Sequence, residues 1–131
     1  ENRAIAEKSF ELLRELGLEK MALHPAAGLP FGTLKRLEIA RALAASPRFL
    51  LLDEPAAGLT HAEVDELADT IVALREKFKL TILLVEHHMA MVMKISDQVV
   101  AMEFGRKIAE GSPSQVQNDE NVIRAYLGGE V

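Results

Sequence analysis

The sequence predicts an α/β fold in which parallel strands carry flanking helices and an antiparallel hairpin lies at one edge. Three observations carry that reading. Two apolar runs, the uninterrupted Phe49–Leu52 and Leu80–Val85, are strand-sized and read as strands covered on both faces, the pattern of a parallel sheet. Between them lies a segment with helical periodicity and a complete capping signal, so the order strand, helix, strand is that of an α/β fold. Beyond the second run, Val99–Met102 and Lys107–Ala109 read as a hairpin turning at Phe104-Gly105.

Size and composition bound the rest. A chain of 131 residues suits one domain with a single core, burying roughly two-thirds of its unfolded surface. Its 49% apolar and 27% charged residues are the balance of an ordinary globular protein. No apolar run approaches the ~20 residues of a membrane span. The absence of cysteine excludes disulfides, thiolate metal sites and cysteine nucleophiles. A net charge of −5, with no cluster of Lys and Arg, argues against a nucleic-acid partner. The opening Glu1-Asn2-Arg3 has neither an initiator Met nor a basic-then-apolar leader, and reads as the start of a piece of something longer.

Along the chain, Ile5, Phe10, Leu12, Leu13 and Leu16 form a helix-like stripe that Gly17 terminates. Residues 20–32 hold two prolines and two glycines and read as loop. A second helix runs from about Thr33 to Ala45, stopped by Ser46-Pro47. In the third helix Thr60 and Glu63 form a capping box, Leu59 and Val64 a hydrophobic staple. Val64, Leu67, Ala68, Ile71 and Leu74 give it a core-facing stripe. A short helix covers about Ala90–Ile95. Ser112-Pro113-Ser114-Gln115 opens a small capped helix, and a last one spans about Asn121–Leu127 before Gly128-Gly129.

Three places carry chemistry. Phe49–Leu52 delivers Asp53-Glu54 to the C-terminal end of a strand, where open α/β sheets bind ligands. Strand alternation points the two acids at different partners: one to hold magnesium through water, the other to face an attacking water. Two solvated loop acids are the bland alternative. Glu86-His87 repeats this placement at the second strand end, where a histidine reaches a phosphate or orients a carboxylate, or is merely exposed. His87-His88 reads poorly as a metal pair, since adjacent residues diverge. Finally, Leu29-Pro30-Phe31-Gly32-Thr33 leads into a helix. Pro30 has no N–H, so Phe31, Gly32 and Thr33 supply the backbone donors for an anion, or the turn is simply a helix start.

In this order and spacing the motifs resemble the second half of an ABC transporter ATPase domain, a P-loop NTPase of RecA-like fold. Leu29–Leu43 is similar to the signature motif and its helix, and Phe49–Pro55 to Walker B with its catalytic glutamate. Ala57-Gly58-Leu59-Thr60 lies at the D-loop, and His87 at the switch histidine. Residues 1–45 then correspond to the end of the helical subdomain and 46–131 to the second half of the ATPase core with its C-terminal helices. Asp53–Leu59, Ile82–His87 and Val122–Gly128 look most like the branched-chain amino acid importers, with the lipopolysaccharide-export ATPases sharing a similar tail.

The resemblance implies that two such subunits, alike or homologous, sandwich ATP and serve transmembrane permease subunits, peripherally, on the cytoplasmic face of the membrane. Glu54 would polarise the attacking water, Asp53 would hold hydrated Mg2+ and His87 would sense the γ-phosphate. Phe31, Gly32 and Thr33 would donate across the dimer. There are departures. Pro30 replaces the signature serine, removing a hydrogen bond worth roughly 1.5–3 kcal/mol to a charged group. Phe31 stands for a glycine, Thr33 for the glutamine, and Thr60 where the D-loop often has Asp. No glycine here begins a Gly-x-x-x-x-Gly-Lys-Ser/Thr P-loop, so this chain alone is expected to be inactive and to self-associate through exposed apolar strands. A non-catalytic assembly module of the same fold is the competing reading.

Overall fold

In a computed structural model, residues 1–127 are described. They form two compact units, Glu1–Glu86 and His87 onward, where the sequence reads as one core. The later segment is short but assembles an apolar cluster of its own.

In the first unit, helix α1 (Asn2–Glu15) ends in a Schellman motif. Gly17, at φ +68°, donates to the Arg14 carbonyl at 3.0 Å, and the Leu18 N–H reaches Leu13 O at 2.7 Å. Leu12, Leu16 and Leu18 are buried, whereas Ile5 and Phe10 lie outside the core, so only the later part of the expected stripe is used. The proline-rich stretch opens with a 3₁₀ turn, Glu19–Met21, and helix α2 spans Phe31–Leu43. At its far end Lys8 Nζ donates to Ala44 O at 3.1 Å and to Ser46 Oγ at 2.7 Å, satisfying a carbonyl that the helix leaves open.

Strands β1 (Phe49–Asp53) and β2 (Thr81–Val85) pair in parallel, Phe49 against Thr81 through Asp53 against Val85. Helix α3 (His61–Phe78) makes the crossover, and Val64, Leu67, Ala68, Ile71 and Leu74 are all buried. The strands depart from expectation in one respect. Leu50 and Leu52 are buried, but Phe49, Leu51, Leu83 and Val85 are 53–63% exposed. Among the described residues only one face of the pair is covered.

The second unit holds helix α4 (Met89–Ile95), strands β3 (Val99–Glu103) and β4 (Arg106–Gly111), and short helices α5 (Pro113–Gln117) and α6 (Glu120–Val122). β3 and β4 form the expected hairpin, with a register shift between Ala101 and Met102. Val99, Ala101, Val116 and Val122 make its core, with Met89, Val92, Met93 and Ile108 packed against them. The last helix changes to π geometry over Ile123–Leu127, and the Tyr126 hydroxyl donates to the Met102 carbonyl. Its expected stop at Gly128-Gly129 lies outside the described residues.

Both sequence-level capping boxes form. At α3 the Glu63 N–H donates to Thr60 Oγ1 at 3.3 Å, and the Thr60 N–H donates to Glu63 Oε2 at 2.8 Å. Ser112 and Gln115 make the same exchange at α5. The Thr60 amide, then its hydroxyl and the charge of Arg36, hold the Glu63 carboxyl below its ordinary 4.5. A depressed carboxyl contributes stability that is fully present above pH 4.5 and lost as the pH falls through the lowered value. Thr60→Ala is therefore expected to lower stability by about 1 kcal/mol near pH 7. It should also lose less on acidification than the parent chain does, which urea titrations at neutral and acid pH would measure.

Candidate functional site at the strand ends

The parallel pairing continues one residue past β1, because the Glu54 N–H donates to Val85 O at 2.8 Å. Glu54 itself takes φ +47°, in the left-handed region. The strand alternation expected for Asp53 and Glu54 therefore stops at Asp53. A glutamate without special aptitude for this conformation, held at a strand end, marks strain of the kind that collects at functional sites. Asp53 closes the strand with an exposed carboxylate, a hard oxygen donor of the type that binds hydrated Mg2+.

The loop behind Glu54 is built from successive turns. The Ala57 N–H donates to Glu54 O at 3.1 Å and the Leu59 N–H to Ala56 O at 3.2 Å; Gly58 takes φ +78°. Pro55 and Ala56 are buried. The Ala56 N–H donates to Glu86 Oε1 at 2.8 Å, so the acid ending the second strand run clamps the loop of the first. Sequence reasoning left this role of Glu86 out, and its position beside His87 was the only signal.

Helix α2 begins two residues earlier than its sequence pattern indicates. Pro30, at φ −55° and ψ 149°, is the N-cap, and the first helical bond runs from the Leu34 N–H to Pro30 O at 3.0 Å. Phe31, Gly32 and Thr33 thus form the first helical turn, where N–H groups have no carbonyl of their own helix to meet. Pro30 supplies no side-chain cap. The backbone N–H groups of such a first turn are donors of the kind that suit an anion. The Arg36–Glu66 ion pair, at 2.8 Å, ties α2 to α3 just below it.

His87 is exposed and opens the second unit, and its ring stacks on that of His88 with centroids 4.8 Å apart and planes at 27°. The two side chains converge, contrary to the divergence expected of neighbours, because the backbone here is not a regular strand.

Known proteins resemble this chain in sequence and in fold. The family model for ABC transporters matches residues 1–57, and that for the branched-chain amino acid ATP-binding cassette transporter matches 106–131. The high-affinity branched-chain amino acid transport ATP-binding protein BraF of Pseudomonas aeruginosa is 44% identical over 96% of this chain and 49% of its own length. LivG of Escherichia coli, of the same description, is 47% identical over 88% of this chain and 46% of its own. The chain belongs to the ABC transporter ATP-binding family. The lipopolysaccharide export ATP-binding protein LptB of Haemophilus influenzae is also related, at 38% identity over 93% of the chain and 50% of its own length. Among solved structures, the ADP conformation of MJ1267, an ATP-binding cassette of an ABC transporter, superposes with a TM-score of 0.86 at 31% identity. It covers 97% of this chain and 51% of that one. The chain thus spans about half the length of the relatives it matches.

Within this ABC ATP-binding chain, the first unit brings together Asp53, Glu54, the Ala57–Thr60 loop and, through α2, the Phe31–Thr33 turn. The left-handed Glu54 makes a testable demand. Glu54→Val and Glu54→Asn both remove the carboxylate, yet valine resists positive φ while asparagine accepts it. Valine is expected to be less stable than asparagine by about 1–2 kcal/mol in denaturant titrations. Equal stabilities would show that Glu54 is not held left-handed in solution.

Proposed function

We propose that this chain is part of the ATP-binding and ATP-hydrolysing subunit of an ABC importer for branched-chain or related amino acids. The observation that supports it most is the strained Glu54 beside Asp53 at the end of β1, in the unit that also presents the uncapped turn of α2. The higher identity to BraF and LivG than to LptB favours amino acids over lipopolysaccharide.

In this reading Glu54 accepts a proton from the attacking water, and its backbone bond to Val85 fixes where the carboxylate starts. Asp53 is the ligand for hydrated Mg2+. Bound Mg-ATP supplies the phosphoryl group and the charge neutralisation that phosphoryl transfer needs. Phe31, Gly32 and Thr33 donate backbone N–H groups to a phosphate held by a homologous subunit, His87 senses that phosphate, and Ala57–Thr60 lies at the interface of the two subunits. The subunit pair works with transmembrane permease subunits from the cytoplasmic face. Among the described residues no helix is long and apolar enough to cross a membrane, in keeping with peripheral attachment.

Two expectations test this. In the full-length product of the gene encoding this chain, Glu54→Gln is expected to lower ATP turnover by about 10²-fold or more while ATP binding persists. His87→Ala is expected to slow hydrolysis with little change in melting temperature. Hydrolysis at the parental rate by the Glu54 variant contradicts the assignment, and a large fall in melting temperature for the His87 variant makes that residue structural. The 131-residue chain by itself has no P-loop and exposes Phe49, Leu51, Leu83 and Val85. Light scattering is expected to show self-association and calorimetry no tight Mg-ATP binding. A monodisperse monomer with micromolar affinity for Mg-ATP would contradict both.

A further inference from the structure

The loop that follows Glu54 and the first turn of α2 touch at two points, and at each point one side offers a glycine. A Cβ on Gly58 would lie 2.8 Å from Cε1 of Phe31, 3.4 Å from its Cδ1 and 3.6 Å from its Cζ. The aromatic ring therefore rests directly on the Gly58 backbone. Conversely, a Cβ on Gly32 would lie 3.1 Å from Glu63 Oε1 and 3.5 Å from Leu59 Cδ2.

We infer that Phe31 is a positioning residue whose ring, seated on Gly58, holds the loop behind Glu54 and the Phe31–Thr33 donor turn in one fixed arrangement. The inference rests on the ATPase reading above. Phe31 is not a core side chain, being 53% exposed at the first position of its helix. The ring lies against the exposed Gly58, and the Lys35 ammonium stands 5.3 Å from the ring centroid. Gly58 is doubly constrained to glycine, by φ +78° and by the ring above it. The ring and the Gly58 backbone are in contact, so a shift of the loop is passed to the ring and with it to the turn whose N–H groups face phosphate. In the proposed subunit pair, Glu54 serves one nucleotide and the donor turn serves the other. The Phe31–Gly58 contact then links the geometry of two reaction centres within one chain.

The test is steady-state ATP hydrolysis by the full-length gene product and its variants, with melting temperatures recorded alongside. Phe31→Ala is expected to lower kcat about tenfold or more with KM for ATP within about twofold, the pattern of lost geometry rather than lost binding. Phe31→Tyr, which keeps the ring, is expected to recover most of that loss. Gly58→Ala should reproduce it. The double variant, Phe31→Ala with Gly58→Ala, should be no worse than Gly58→Ala alone, since the ring that the new methyl group would displace is gone. A Phe31→Ala enzyme with kcat within twofold of the parent overturns the inference. So does a tyrosine variant as impaired as the alanine one, or a loss that tracks a fall in melting temperature in every variant. A parent protein with no ATPase activity contradicts the proposed function and this inference with it. An active parent indifferent to Phe31 overturns only the inference.

Discussion

The parallel pairing of β1 with β2 is the constraint on which the rest of the first unit depends. Five residue pairs in register set Asp53 opposite Val85, and the Val85 carbonyl then receives the Glu54 N–H. That bond fixes the start of the loop that returns to α3, and Glu54 itself takes φ +47°, in the left-handed region. The second strand adds another hold at the same place, because Glu86 accepts the N–H of buried Ala56. A loop pinned at both Glu54 and Ala56 has little freedom before the capping box at Thr60 takes over.

The same loop carries the neighbouring helix start. Gly58 and Gly32 lie where α2 begins against the loop: a Cβ on Gly58 would lie 2.8 Å from the Phe31 ring, and one on Gly32 3.1 Å from Glu63 Oε1. The Arg36–Glu66 pair adds a modest surface contribution a turn further along. An acid, an exposed carboxylate at a strand end and a helix start with unspent N–H groups are thereby gathered into one unit by backbone geometry. Charge follows the same layout: Thr60 donates twice to the Glu63 carboxyl near Gly32 and holds it below its ordinary value.

What was legible in the sequence follows the range of the interactions concerned. The Thr60–Glu63 and Ser112–Gln115 boxes, the Gly17 stop and the Phe104-Gly105 turn are settled within a few residues, and all of them form. The buried stripe of α3 was readable because its period is regular over about three turns. By contrast, Ile5 and Phe10 fit a helical stripe equally well, and only the packing partner decides that they stay outside. The start of α2 at Phe31 was hidden because Pro30 has no side-chain acceptor to announce a cap. The left-handed Glu54 had no signal in residue type, and its bond to Val85 joins positions 31 apart in sequence. The Glu86 clamp on Ala56 spans 30 positions and was hidden for the same reason. Both strand runs read as covered on two faces, and the exposure of Phe49 and Leu51 shows which face the described residues leave open.

Amide hydrogen exchange at Glu54 and Ala56, followed residue by residue in the 131-residue chain under native conditions, addresses the strand-end geometry directly. If the Val85 carbonyl and the Glu86 carboxylate hold these two N–H groups, both exchange as slowly as the central amides of β1, although both lie beyond the strand. Exchange at the rate of an open loop while β1 remains protected would contradict the clamp, and with it the fixed placement of Glu54.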